Sequence, residues 1–480
     1  MRHRRQAREI ATSTSTGRPL DRSIVEGPIA RAVWLIAWPT ALQNLIGGLQ
    51  GVVDHALVGH FVGFAGNAAI GVGVQIFIVV IAFVMSVFSG MGVLVARFAG
   101  ANEPEKVNRT VYQAFLAAIV LWGALLAPLG WVLAPSLLRV VNAAPAVQVQ
   151  ALPFLRISFV GSLGTLLFFM VSGALRAAGD ARTPLRLGVL LTVLNIGCNI
   201  AFITGVGPLP RLGTAGAAVG TTVAGIVVSS IAAYLLFSGR LPVTWHRGMN
   251  WRPDWAVIRE LFRFGLPTGV QGIVMNIGGV LMLRFIGSLA HSAEAQAAYA
   301  VGYGELFSFI TWTSVGLMSA AATVAGQNLG AQRPDRSVRG VHVAAGLGVG
   351  LAAVIGILFI TIPRALLGIF GMTDPVVVGL GTQLLSFLSV SGLFVTVALT
   401  YTGGLQGTGD TRSPLYISIV SQVVVPLGLC TLLQAMRGLH PADIWTAILL
   451  GHVTRSALSA LRFRQGKWRT IRVELQPAQS

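Results

Sequence analysis

Charge is what this sequence has least of. Asp, Glu, Lys and Arg make up 10% of its 480 residues, against about 25% in soluble proteins. Hydrophobic residues reach 54%, and the mean hydropathy is +0.75. Hiding that much apolar surface from water would take a larger core than this chain can build, so a soluble enzyme is excluded. Disorder is excluded as well, because disordered chains are poor in apolar residues and rich in charge. Cysteine is almost absent. Cys198 and Cys430 both sit inside apolar runs and make neither a disulfide framework nor a metal-ligand spacing. Also missing are a Walker loop, GxSxG, HExxH and a dinucleotide fingerprint. Without an ATP site, any energy the protein uses has to come from an ion gradient, and no cofactor is expected. Glycine, by contrast, is abundant at 58 residues, and packed membrane helices tolerate it well.

A membrane-spanning helix needs about 20 mostly apolar residues. Twelve runs qualify: 33–58, 67–96, 110–134, 148–172, 185–206, 215–237, 261–287, 295–325, 340–362, 376–402, 415–436 and 440–461. No strand-like alternation recurs, which argues against a barrel. The reading is an all-α polytopic membrane protein with twelve transmembrane helices. A net charge of +18 would suit nucleic acid if the cations shared one face, but they fall between the apolar runs. With the N-terminus placed in the cytoplasm, 28 of the 34 Lys and Arg lie on the inner side, Arg97, Arg176 and Arg455 among them. That bias orients membrane proteins and puts both termini in the cytoplasm. Lipid headgroups are therefore the expected partners of the charge, and nucleic acid is not.

The chain also repeats itself. GALRAAGDARTP (Gly173–Pro184) matches GGLQGTGDTRSP (Gly403–Pro414) at an offset of 230 residues. FAGANEPEKVNR (Phe98–Arg109) matches NLGAQRPDRSVR (Asn328–Arg339) at the same offset, and Pro39-Thr40-x-x-Gln43 matches Pro267-Thr268-x-x-Gln271 at 228. Two six-helix lobes in tandem follow, each entering the membrane in the same direction. The expected domains are a basic tail over 1–30, a first lobe over 31–238, a polar Trp-bearing linker over 239–256, a second lobe over 257–463 and a tail over 464–480. Transporters built this way place their substrate site near the midplane, at the repeat interface.

Of 16 acids, two lie well inside spans, Asp54 and Glu305. An intramembrane carboxyl is expensive and usually functional. The bland alternative is a carboxyl hydrogen-bonded for structure. Pro39 precedes Asp54 by fifteen residues, about 22 Å at helical rise. It leaves a carbonyl unpaired and permits a bend. Asp54 is suited to bind and release protons, or to hold Na⁺ together with neutral oxygen ligands. Asn195 and Asn199 share one helix face, and Thr221 follows a small-residue run, GTAGAAVGT, that allows close helix approach. Helix–helix hydrogen bonding accounts for these three equally well. Glu305 matches Gln75 at the 230 offset and has Tyr299, Tyr303 and Phe307 nearby, a setting for a cationic amphiphile or for plain packing. Gln43 and Gln271 either line a cleft or cross-link helices. The GDARTP and GDTRSP loops read as tight turns that start the next helix.

PTALQNLIGGLQGVVDHALVGHFVG, FAGANEP, GALRAAGDARTP, LNIGCNIAFI and GTAGAAVGT, with VAGQNLGAQRP and GGLQGTGDTRSP in the second half, resemble the MATE multidrug and toxic compound extrusion transporters. The resemblance spans about 30–463 and is nearest the bacterial DinF-like branch. It implies a MATE/MOP-type fold with two pseudo-symmetric six-helix lobes, set in the bacterial inner membrane. It also implies export of small, cationic amphipathic compounds in exchange for H⁺ or Na⁺. By the same resemblance Asp54 is the first-helix acid, Pro39 the bending proline, Asn195 and Asn199 the fifth-helix pair, Thr221 the sixth-helix threonine and Glu305 the eighth-helix acid. Where NorM-like members carry a seventh-helix Glu, this chain has Met275. With Asn at 199, Asp54 is the one acid of the first-lobe site, which leans the coupling ion toward H⁺. A flippase for lipid-linked or oligosaccharide cargo is the alternative, although the spans offer few cavity cations (Arg156, Arg284). A membrane-embedded transferase would need clustered His, Asp or Glu, which the spans do not supply. A monomer is expected.

Overall fold

The computed structural model of the chain describes residues 20–141, 143–246 and 249–473. Most of the expected N-terminal tail (1–19), the end of the C-terminal tail (474–480) and Arg247 of the linker lie outside the described residues. Among the described residues, eleven helices are long and apolar enough to cross a membrane, and a bent pair supplies a twelfth. In chain order they are α1 (Ile29–Phe61), α2 (Phe64–Gly100), α3 (Pro104–Val140), α4 (Pro145–Gly161 with Leu163–Ala178), α5 (Arg182–Thr204) and α6 (Thr214–Phe237). After the linker come α7 (Trp255–Ile286), α8 (Ser292–Gly330), α9 (Pro334–Thr361), α10 (Pro375–Thr408), α11 (Arg412–Arg437) and α12 (Pro441–Arg464). Each of the twelve expected runs corresponds to one of these helices. No strand occurs among the described residues.

Two compact units emerge, one holding Ile46–Arg263 and the other Ile24–Leu45 with Phe264–Val473. One boundary between the units therefore falls inside α1, after Leu45. Contacts within the second unit explain it. A Cβ on Gly316 of α8 would lie 2.7 Å from Ala41 N, and Asn44 Nδ2 donates to Trp312 O at 3.3 Å. Ahead of α1, the carbonyls of Val25 and Gly27 accept from Arg333 and Arg336. Those arginines belong to the NLGAQRPDRSVR repeat, so the cationic loop also anchors the incoming chain.

In the first unit the helices meet through small residues. Lipid gives no hydrophobic drive between helices, so close packing has to supply the attraction. Gly216 of α6 sits against the Phe202 carbonyl of α5, and Gly164 of α4 lies against the backbone at Gly225 and Ile226 of α6. α4 bends by 49° at Ser162. The break follows Gly161-Ser162, a Gly/Ser pair of the kind that marks sharp kinks, and the Ser162 hydroxyl donates to the Ser158 carbonyl.

The linker docks onto α3 within the first unit. Asn108 accepts from Thr244 N at 2.9 Å, the Tyr112 hydroxyl donates to Trp251 O at 2.8 Å, and Gln113 Nε2 donates to Arg252 O at 2.9 Å. Trp245 is buried against Tyr112, Phe115 and Phe237. Asp254 pairs with Arg109 and caps α7 by accepting from Ala256 N and Val257 N. The GDARTP and GDTRSP loops are the turns their chemistry requires. Gly179 and Gly409 adopt φ of 106° and 99°, the left-handed region that glycine enters without penalty. Asp180 and Asp410 then accept from Thr183 N and Ser413 N at the start of the next helix.

Candidate functional site

In the first unit, α1, α5 and α6 bring four of the expected residues into one hydrogen-bonded network. Asn199 Nδ2 donates to Asp54 Oδ1 at 2.8 Å and to Asn195 Oδ1 at 3.0 Å. Asn195 Nδ2 donates to Thr221 Oγ1 at 2.8 Å, and the Thr221 hydroxyl donates to the Ala217 carbonyl at 2.9 Å. Asn195 and Asn199 are each 1% exposed, while Asp54 and Thr221 are half-buried. The spacing explains the geometry. Residues four apart on α5 stack on one face, so one asparagine meets α1 and the other meets α6.

Two further residues extend the network. Gln50, one turn before Asp54 on α1, hydrogen-bonds the same carboxyl, and Thr192 Oγ1 donates to Gln50 Oε1 at 2.8 Å. Their helical spacing from Asp54 and Asn195 is the signal that identifies them: Gln50 is four residues from the acid, and Thr192 is three from the first asparagine. Asn199 Oδ1 is buried without a hydrogen-bond partner among the described residues. It is wedged against Gly220 of α6, where a Cβ would lie 2.1 Å from Asn199 Oδ1 and 2.8 Å from Asn199 N. Gly220→Ala is therefore expected to separate α5 from α6 or turn the Asn199 amide. Overpacking of this kind costs about 1–3 kcal/mol. The variant should melt several degrees lower and transport more slowly than wild type, as a thermal scan and an efflux assay on the same preparation would report. Unchanged values in both would mean that the amide is not held as described.

Neighbours of the acid behave differently from it. His55 is exposed, with its ring Nδ1 2.6 Å from Asn67 Oδ1. Pro39 is buried in the second unit, within a continuous α1, and next to it the Thr40 hydroxyl donates to the Ile36 carbonyl at 2.8 Å.

The second-unit candidates do not form a matching network. Gln271 is buried and cross-links helices, donating to Ser418 Oγ at 2.7 Å and accepting from Gln406 Nε2 at 3.1 Å. Of its two expected roles, the geometry supplies the structural one. Glu305 and Tyr303 sit on a π-helical stretch of α8, Ala300–Leu306. Glu305 is half-buried, and Tyr303 stacks on Tyr299 and Phe307. Gln43 and Met275 are half-buried, and in the first unit Gln75 is exposed. No group of three or more His, Cys, Asp or Glu that would hold a resident metal occurs among the described residues.

Comparison with known proteins follows the repeat. A family model described as MatE matches twice, over residues 39–201 and 267–432. The matches begin at Pro39 and Pro267, the two prolines related by the internal offset. A protein of Thermotoga maritima named probable multidrug resistance protein NorM is 28% identical over 442 residues, covering 90% of this chain and 92% of the relative. Its namesake in Deinococcus radiodurans is 29% identical, covering 89% and 93%. A solved structure of a multidrug resistance MATE family transporter in its outward-facing conformation superposes with a TM-score of 0.86 at 20% identity, over 94% of this chain and 98% of the other. At that identity the likeness speaks to the twelve-helix fold.

Proposed function

The chain belongs to the MatE family, and we propose that it exports small organic cations from the cytoplasm in exchange for inward-moving H⁺, with Na⁺ as the alternative ion. Membership makes it a multi-pass membrane transporter and not an enzyme. The multidrug resistance names of its relatives support drug-like cargo. The bacterial inner membrane, with both termini cytoplasmic, is the location that fits the distribution of Lys and Arg.

One observation carries the choice of ion. Asp54 is the sole acid of its network, and the network answers it with amide donors from Asn199 and Gln50. A bare cation wants oxygen ligands around it, whereas here the Asn195 and Asn199 NH₂ groups take up Thr221 Oγ1 and Asn195 Oδ1, and Asn199 Oδ1 is wedged against Gly220. A proton needs only the carboxyl. Protonation removes the charge to which Asn199 donates, so the tie between α1 and α5 weakens. Pro39 leaves α1 a weak point at which to respond by bending. Cargo and proton then alternate at a group that must be anionic to accept either, which favours cationic cargo. Exchange of one monovalent cation for one proton moves no net charge, so the pH difference drives it: one pH unit, about 1.4 kcal/mol, supports a cargo gradient of about tenfold.

Reconstitution into liposomes tests the reading. An imposed pH gradient is expected to drive uptake of a fluorescent cation, and an Na⁺ gradient at equal pH is not. Movement that is equally fast with neither gradient rejects coupled exchange, and movement driven by Na⁺ alone replaces H⁺ with the other ion.

A further inference from the structure

The last helix carries a polar stripe that the network around Asp54 does not use. Trp445, His452, Arg455 and Ser459 follow one another on α12 at spacings of seven, three and four, which places them along one helix face. All four are buried, with Arg455 at 3% and His452 at 2% exposure. Trp445 Nε1, His452 Nδ1, Arg455 Nε and Ser459 Oγ have no hydrogen-bond partner among the described residues. The ion pairs that Arg462, Arg469 and Arg437 make with Asp410, Asp335 and Asp443 leave Arg455 out. Aromatic rings of α8 wall the stripe. Tyr303 and Phe307 lie 6.4 and 5.7 Å from the His452 ring, nearly parallel to it, and Tyr303 is within electrostatic reach of Arg455.

The chemistry of these groups points one way. A guanidinium has five N–H donors and no acceptor, and it keeps its charge. Indole N–H and the serine hydroxyl donate, and a neutral imidazole donates from one of its two nitrogens. Folded proteins leave few buried donors unanswered, and an orphan calls for an ordered water or an ion. A buried cation needs a counter-charge, because its desolvation is otherwise uncompensated. Arg455 lies between His452 and Ser459, about 4.5 and 6 Å from them along the helix, so its long side chain can bring the guanidinium to an acceptor within reach of its neighbours. We infer that α12 binds a small monovalent anion of the chloride class between Arg455, His452 and Ser459, in the interior of the second unit. So enclosed a setting selects against phosphate, whose greater charge is costlier to desolvate. The site is independent of the role proposed for Asp54.

Equilibrium dialysis of radiolabelled chloride against the full-length protein in detergent, with gluconate as the balancing anion, is the test. The expected result is saturable binding that weakens by about tenfold or more in Arg455→Gln, as loss of a charge-assisted contact implies. Ser459→Ala and His452→Phe should weaken it severalfold, and they carry the test if Arg455→Gln does not fold. Arg139→Gln, which removes an exposed cation elsewhere, should leave binding unchanged. Absence of saturable binding in the wild type overturns the inference. So does equal affinity in the variants of the stripe.

Discussion

Asp54→Asn is expected to abolish gradient-driven export while the protein still inserts, folds and melts as the wild type does. The substitution keeps the shape of the side chain, and its carbonyl oxygen can still accept from Asn199, the contact now made at 2.8 Å. What it removes is the capacity to gain and lose a proton, and an amide cannot supply that. The loss should reach about a hundredfold in coupled rate, because no second acid stands in the network to take over. Paired measurements separate function from folding: resistance of cells expressing the variant, and thermal stability of the purified protein. Full resistance would remove Asp54 from the coupling step. A collapsed melting temperature would assign it to structure instead. Asn199→Ala should fall between wild type and Asp54→Asn, since it removes the donor and leaves the titrating group.

Gly407→Val is expected to be the most damaging single change in the second unit. α8 and α10 touch there backbone to backbone. A Cβ on Gly407 would lie 2.1 Å from the Ala322 carbonyl, and one on Gly403 would lie 2.1 Å from the Met318 carbonyl. Neither obstacle is the end of a flexible side chain, so the helices themselves would have to move apart. Overpacking costs about 1–3 kcal/mol where a core can adjust, and more where it cannot. Heating followed by size-exclusion chromatography should show Gly407→Val aggregating well below the wild type. Gly428→Ala is the matched control, because nothing lies within 4 Å of its added methyl. Equal stability of the two variants would show that the α8–α10 approach is looser than described.

Much of this architecture is legible in the sequence because lipid imposes simple rules. Each span must be long and apolar, so the twelve helices could be counted from hydropathy alone. The Asp54 network was legible for a related reason: polar groups inside spans are few, and a spacing of four defines a face. Features that depend on partner helices were harder to see. The division of α1 after Leu45 arises from contacts with Trp312 and Gly316, hundreds of residues away. Arg455 reads as one more inner-rim cation until folding buries it. The unequal repeat offsets, 228 and then 230, did carry a usable hint. α8 has 39 residues where α2 has 37, and α8 contains the π stretch Ala300–Leu306. Wider π turns absorb extra residues within a helix. The counterpart of Glu305 therefore depends on the end from which one counts: Gln75 from one side, Phe77 from the other.

The docked linker has a consequence for how the two halves are joined. Residues 241–246 and 249–254 close over Tyr112 and Gln113 of their own half, with Trp245 as the buried plug. At the end of the second half, Trp468 is likewise buried, stacked on Phe463, and Arg469 reaches Asp335 of that same half. Each half thus finishes in a tryptophan-bearing segment folded back on its own helices. The closing segment of the first half serves as the join to the second without giving up its place on its own helices.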